Sequence, residues 1–436
     1  MIKPIENIFK VPDLRKKLFF TLFCIVVYRL GCHIPLPGVN GEALGQLMEN
    51  LKQQGSVFGL YDIFVGGALS KAAIFALGVM PYISASIVFQ LLGSVFPMFE
   101  KLQRDEEGRR KITQWTRYAT VGLAAFQAVA IAMFLESQKL PLGDSSVSIV
   151  NPTPVPFRLI AMITLTCGTI FVMWLGEQIT EKGIGNGISF IIFIGCLEEY
   201  PMYVSRAIQQ VTTGFSIINI VLALIIMVLV TAAVIVMTQA TRRIPVQYPK
   251  RIVGRKMYGG QSTYLPMRVN TAGVIPIIFA QSVVVLPGTA ASFFPAIQKF
   301  IQFFRPGFWG YDLVYFVAII FFTYFYTAIV FNPTDLADNM RRYGGFIPGI
   351  RPGEKTSEYI DGVLSRVTLP GALFLGFIAL LPWYLMDFLR VPFYFGGTTL
   401  LIIVGVALDT LQQIESQLLM HHYEGFMKRG RIRGRR

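Results

Sequence analysis

Gly78-Val79-Met80-Pro81-Tyr82-Ile83 and Gly273-Val274-Ile275-Pro276-Ile277-Ile278 repeat the same Gly, Val, Pro and Ile at the same spacing in the two halves of the chain. Each copy belongs to a long apolar segment, and in each half it is the second such segment. A helix needs about 20 apolar residues to cross a hydrocarbon core about 30 Å thick. Segments of that kind start near Leu18, Ala72, Tyr118, Leu159, Gly187, Ile217, Ala272, Leu313, Leu369 and Phe393. In lipid each must satisfy its own backbone groups, so each is read as a helix. The repeated hexapeptide therefore marks helices 2 and 7 of ten. With five helices per half, the two halves insert in opposite orientations.

Composition points the same way. Of 436 residues, 53% are hydrophobic and only 15% charged, where a soluble domain averages about 25% charged. A water-facing fold is excluded. The net charge of +14 sits in short stretches between apolar segments rather than in one basic domain, so topology explains most of it. The loop 241–270 carries seven Lys and Arg and no acidic residue, which places it in the cytoplasm by the positive-inside rule. That decides the fifth segment, whose apolar part from Ile188 to Leu197 is short and runs into Glu198, Glu199 and Pro201. Without it the basic loop would face outward. Ten spans with both termini cytoplasmic is the consistent arrangement.

The expected organisation is a first half over 1–200, an outer hinge loop over 201–215, and a second half over 216–419 with cytoplasmic loops 241–270 and 332–367. A basic tail follows over 420–436. No cleavable leader is expected, because the first apolar run continues into Pro35 and Pro37 without a small-residue cleavage site. Cys24, Cys32, Cys167 and Cys196 all fall in apolar segments without metal-ligand spacing and read as buried thiols.

Glycines also recur at matched places: Gly183, Gly185 and Gly187 open helix 5, and Gly396 and Gly397 open helix 10. Gly and Pro interruptions at corresponding positions of inverted halves point to a central pathway. Its expected lining, Val79, Ile83, Ile188, Ile192 and Ile278, is aliphatic. An ion-coupled transporter or a lipid-linked polymer flippase would place carboxylates or His near the midplane, yet the spans offer only Arg29, His33 and Asp409. A membrane-bound enzyme would show a polar catalytic cluster, and none stands out. Gly349-Ile350-Arg351-Pro352-Gly353-Glu354-Lys355-Thr356 has the wrong spacing for a phosphate-binding loop. No catalytic, cofactor or metal set is expected. An aliphatic constriction blocks ions by dewetting and yields to a bulky, flexible polymer.

The chain resembles the SecY family over essentially its whole length. The resemblance rests on Gly66-Gly67-Ala68-Leu69-Ser70, Met80-Pro81-Tyr82-Ile83-Ser84-Ala85-Ser86, Trp174-Leu175-Gly176-Glu177-Gln178-Ile179-Thr180-Glu181 and Gly183-Ile184-Gly185-Asn186-Gly187-Ile188-Ser189. Gln261-Ser262-Thr263 and Pro348-Gly349-Ile350-Arg351-Pro352-Gly353-Glu354 complete it. It implies an all-α membrane protein of ten transmembrane helices, in two inverted five-helix halves around a central hourglass pore. It also implies a re-entrant plug over about 57–70, with Phe58, Leu60, Ile63, Phe64, Gly66 and Gly67. That segment is too short to span and suits a piece buried in protein. The implied pore ring is Val79, Ile83, Ile188, Ile192 and Ile278, with Val406 or its neighbour Ala407 in sixth place.

Further implications are a lateral gate bearing Gln90, Gln127, Gln281 and Ser282, and cytoplasmic docking by Arg242, Arg243, Lys250, Arg251, Arg255, Lys256, Arg341, Arg342 and Arg351. The partners the resemblance implies are SecE and SecG, the SecA ATPase, the ribosome and unfolded polypeptides. The tail, Lys428 to Arg436, suits ribosomal RNA or anionic lipid. The implied function is a protein-conducting channel, not an enzyme, in the bacterial inner membrane.

Overall fold

The computed structural model describes residues 11–53, 57–142, 145–151, 154–212, 217–248, 251–253, 256–258, 262–290, 308–389 and 397–429. The chain divides into two compact units, one of residues 1–213, 282–308 and 402–436, the other of 214–281 and 309–401.

In the first unit, α1 (Pro12–Gly31) opens on a proline, which costs nothing in a first turn whose amide has no helical acceptor. Leu14, Thr21, Cys24, Tyr28 and Gly31 form its buried face, while Phe19, Leu22, Phe23, Val26 and Leu30 are exposed. An apolar exposed stripe at this spacing is a lipid-facing surface. The amphipathic α2 (Gly41–Gln53) is capped by Asn40, whose Oδ1 accepts from the Glu42 and Ala43 amides. The short α3 (Val57–Val65) follows, then turns up to α4 (Met80–Val95). Pro97 and the extended Phe96 break the next helix, α5 (Pro97–Arg104), away from α4 by 110°. The unit continues with α6 (Glu106–Ser137), a hairpin of β1 (Lys139–Leu142) and β2 (Ser145–Ser148), α7 (Phe157–Lys182) and α8 (Gly187–Thr212). α6 lies against α4 and α7, and α7 against α1 and α8.

In the second unit, α9 (Ile217–Gln239) leads into β3 (Thr241–Gln247), which pairs antiparallel with β6 (Ser262–Arg268) in the register Thr241 to Arg268 through Gln247 to Ser262. A smaller pair, β4 (Arg251–Val253) with β5 (Lys256–Tyr258), lies between them in sequence. Then come α10 (Ile275–Ala290), which runs out of this unit after Gln281, α11 (Trp309–Val330), α12 (Pro333–Arg342) and α13 (Glu354–Leu389). α13 packs on α11, α12 and α9. The last helix, α14 (Gly397–Arg429), starts in this unit and ends in the first.

Helices α6 and α13 begin well upstream of the spans expected near Tyr118 and Leu369, and two other expected spans become helical only further downstream. The segment read from Ala72 becomes helical only at Met80, and the one read from Ala272 only at Ile275. In both cases a glycine two residues before the helix has positive φ, 53° at Gly78 and 64° at Gly273. That left-handed conformation ends any helix arriving from upstream. Pro81 and Pro276 then lie in the first helical turn. The repeated hexapeptide is thus a repeated piece of backbone.

Among the described residues, six helices are long and apolar enough to cross a membrane, and the bent α4–α5 pair makes a seventh. The expected first and fifth spans fall on α1 and α8, whose apolar stretches are interrupted by Arg29 and by Glu198 and Glu199. The expected seventh falls on the shorter α10. Among the cysteines, Cys24, Cys32 and Cys196 are buried, but Cys167 is exposed, whereas the residues after it in α7, Gly168 and Thr169, are buried.

Candidate functional site

The segment between α1 and α4 folds into the first unit. Its helix α3 contacts α8, and Tyr61, Asp62, Phe64, Val65, Gly66 and Gly67 are buried. The Tyr28 hydroxyl of α1 donates to the Val65 carbonyl at 3.2 Å, and the Tyr61 hydroxyl to the Leu77 carbonyl at 2.8 Å. The Ser70 amide donates to Asp62 Oδ1 at 2.9 Å, closing the turn after the helix. Gly66, at φ 70°, approaches α8 so closely that a Cβ on it would lie 2.9 Å from Gly195 Cα. Glycine on both sides is what allows this approach. Phe58, Leu60 and Ile63 lie on α3, but their side chains are outside the described set.

Of the aliphatic positions, Val79, Ile83, Ile192 and Val406 are buried in the first unit and Ile278 in the second, while Ile188 is half-buried. Ala407 is exposed where Val406 is buried. The four polar positions are disposed as follows. Gln90 Nε2 donates to Ser86 on its own helix at 3.0 Å, and Ser282 Oγ lies 3.6 Å from Met80 Sδ. Gln90 Oε1 and Gln127 Oε1 are buried without a hydrogen-bond partner among the described residues, while the Gln281 side chain lies beside the Tyr311 hydroxyl. Unpaired buried amide groups of this kind cost stability where they lie.

The two basic loops form one folded body. Ile244, Val246 and Met267 from the β3–β6 pair share a core with Met340, Ile347, Ile360 and Leu364 from α12, the following turn and α13. Gln247 and Phe346 exchange both backbone hydrogen bonds at 2.9 Å. Arg242 and Arg243 on β3, Arg341 and Arg342 in the last turn of α12, and Arg351 are all exposed on it. Positive φ at Gly349 and Gly353 (82° and 106°) shapes the turn that presents Arg351, and the Arg351 carbonyl accepts from Thr356 Oγ1 at 2.9 Å. Lys355 is 2.8 Å from Glu358, whose carboxylate raises its pKa. Lys250 and Arg255 lie outside the described residues, as do the side chains of Arg251 and Lys256. Trimming this core by one methylene, Ile360→Val, is expected to weaken the module by about 1 kcal/mol. Limited proteolysis within 241–270 should then run about fivefold faster, with no change in membrane insertion.

The sequence pattern of the SecY family matches residues 73–411. The chain belongs to the SecY family. It is 44% identical to the protein translocase subunit SecY of Aquifex aeolicus (98% of this chain, 100% of the relative). It is also 44% identical to that of Escherichia coli K12 (97% and 96%) and 46% identical to that of Streptomyces scabiei (98% and 100%). In fold it is similar to a solved protein-conducting channel, with a TM-score of 0.66 at 16% identity over 95% of this chain and 96% of the other. Canine Sec61 in a ribosome–channel complex gives 0.62 at 15% identity over 95% and 96%.

Two features of this SecY-family chain went unread in its sequence. One is the sheet joining the two basic loops, although Ile244 and Val246 alternating with Arg243, Pro245 and Gln247 carry a strand signal. The other is the partner of Arg29. The sequence shows Arg29 only as an ionisable group within a span. Its side chain donates to the Ile194 carbonyl at 2.8 Å and is also paired with Glu198. His33 lies beside it, with Nδ1 2.9 Å from the Arg29 carbonyl.

Proposed function

We propose that the chain is the channel-forming subunit of a protein translocase in a bacterial membrane. It passes unfolded polypeptides across and releases apolar helices sideways into lipid. The observation that carries this reading is the short apolar helix Val57–Val65, followed by glycine turns and buried against α8 rather than lying on the surface as a loop. A structural relative similar at TM-score 0.62 and 18% identity is described as having a plug domain that stabilises the closed state and maintains a membrane seal. Residues 57–70 are the matching plug here.

The chain crosses the membrane ten times, as two inverted halves over 1–200 and 216–419 joined by the outer loop 201–215, with both termini cytoplasmic. Val79, Ile83, Ile188, Ile192, Ile278 and Val406 form the aliphatic constriction, which excludes ions by dewetting. Gln90, Gln127, Gln281 and Ser282 lie along the lateral gate. The cytoplasmic module, with Arg242, Arg243, Lys250, Arg251, Arg255, Lys256, Arg341, Arg342 and Arg351, docks the SecA ATPase or a translating ribosome. That partner supplies the energy. SecE and SecG accompany the chain, and the tail over 420–436 contacts anionic lipid or ribosomal RNA.

The test is cross-linking of a stalled secretory precursor to single cysteines, in a chain whose four native cysteines are replaced by alanine. Ile83→Cys and Ile278→Cys are expected to form adducts, whereas Val88→Cys, on the exposed side of α4, is expected to form none. A stalled precursor that reaches neither of the first two would refute the channel.

A further inference from the structure

A charge cluster in the first unit has no part in the function proposed above. Arg29 of α1 and Glu198 of α8 form an ion pair between the two helices. The second Glu198 oxygen accepts from Lys71 Nζ at 3.0 Å, so one carboxylate binds two cations from different segments. Lys71 Nζ also lies 3.0 Å from His33 Nε2. Arg29 and Glu198 are each only 23% exposed, so solvent and salt screen their attraction less than at an open surface.

The cluster encloses the C-terminal end of the 57–70 segment. A Cβ on Gly66 would lie 3.1 Å from both Arg29 and Glu198, and one on Gly67 would lie 3.9 Å from Glu198. Lys71 is the residue directly after Ser70. Beyond it the chain is tied to the end of α1 by Leu36 amide to Ala72 carbonyl at 2.7 Å and Ile74 amide to Ile34 carbonyl at 3.0 Å. Ala72 has φ 44°, a conformation L-residues adopt only when their surroundings impose it.

We infer that Glu198 is an electrostatic latch that holds the C-terminal end of the plug inward by drawing Arg29 and Lys71 together across it. This rests on the reading of 57–70 as the plug. With Glu198 in place both cations are attracted to one point. With the carboxylate neutralised they become like charges packed side by side, and attraction turns into repulsion. The segment they enclose then loses its clamp, while the buried contacts of α3 remain.

The experiment uses the full chain with its co-purifying subunits, reconstituted in phosphatidylethanolamine and phosphatidylglycerol vesicles. Passive potassium leak is measured alongside transport of a precursor with an intact or a defective signal sequence. Glu198→Gln is expected to raise the leak about tenfold and to admit the defective precursor, while the intact precursor is still transported. Lys71→Met, which removes one of the two arms, is expected to raise it about threefold. It decides the matter if Glu198→Gln does not reach the membrane. A leak unchanged by either substitution, in a preparation where deleting 57–70 makes the vesicles leak, overturns the latch and leaves the plug standing. Vesicles that stay tight after the deletion overturn both.

Discussion

Reversing Arg242, Arg243 and Arg351 to glutamate together is expected to weaken binding of ribosomes and of SecA by about a hundredfold, taking roughly 1 kcal/mol for each cation lost against a polyanionic or acidic surface. All three are exposed, and none belongs to the core shared by the two basic loops, so the module should keep its fold. Sedimentation with ribosomes and fluorescence titration with SecA, each at two salt concentrations, check the result. The triple variant should also show a shallower dependence of affinity on salt, because fewer counterions are displaced when it binds. Undiminished affinity for both partners would remove the docking role from these residues.

Gly168→Val is expected to abolish accumulation of the protein in the membrane. A Cβ at this position of α7 would lie 2.0 Å from the Ile74 carbonyl oxygen and 3.0 Å from its carbon. Both are backbone atoms, so no side chain can swing away. Ile74 cannot retreat freely either, because its amide is bonded to the Ile34 carbonyl. The helix would have to move off the segment that precedes α4, and the buried surface there would open. Gly122→Val on α6, where a Cβ meets nothing within 4 Å, is the control and should accumulate normally. Immunoblots of membrane fractions distinguish the two.

The contrast between these glycines shows what the sequence could convey. Apolar length and the charge of the 241–270 loop are properties of composition, and they survive without knowledge of packing. The hexapeptide repeat was legible for a similar reason: a left-handed glycine followed by an early-helix proline is a local conformation encoded by adjacent residues. The starts at Ala72 and Ala272 were misplaced because hydropathy does not register that glycine, and apolar residues before it look as helical as those after. The Arg29–Glu198 pair was not legible, since its members are far apart in sequence and each alone looks like a blemish in a span. Glu198 argued against the fifth helix on hydropathy, and the structure gives it a partner on the first. The β3–β6 sheet was missed because its strands are separated by a basic stretch that reads as loop.

That sheet has a mechanical consequence. β3 leaves α9 after the single residue Ala240, whose carbonyl accepts from the Val269 amide at 2.9 Å, and Val269 in turn presses on Gly371 of α13, where a Cβ would lie 2.8 Å from its carbonyl oxygen. No slack segment separates the ladder from the two helices beneath it. A load applied to Arg242 or Arg243 on β3 would therefore reach α9 and α13 through these contacts with no flexible segment between.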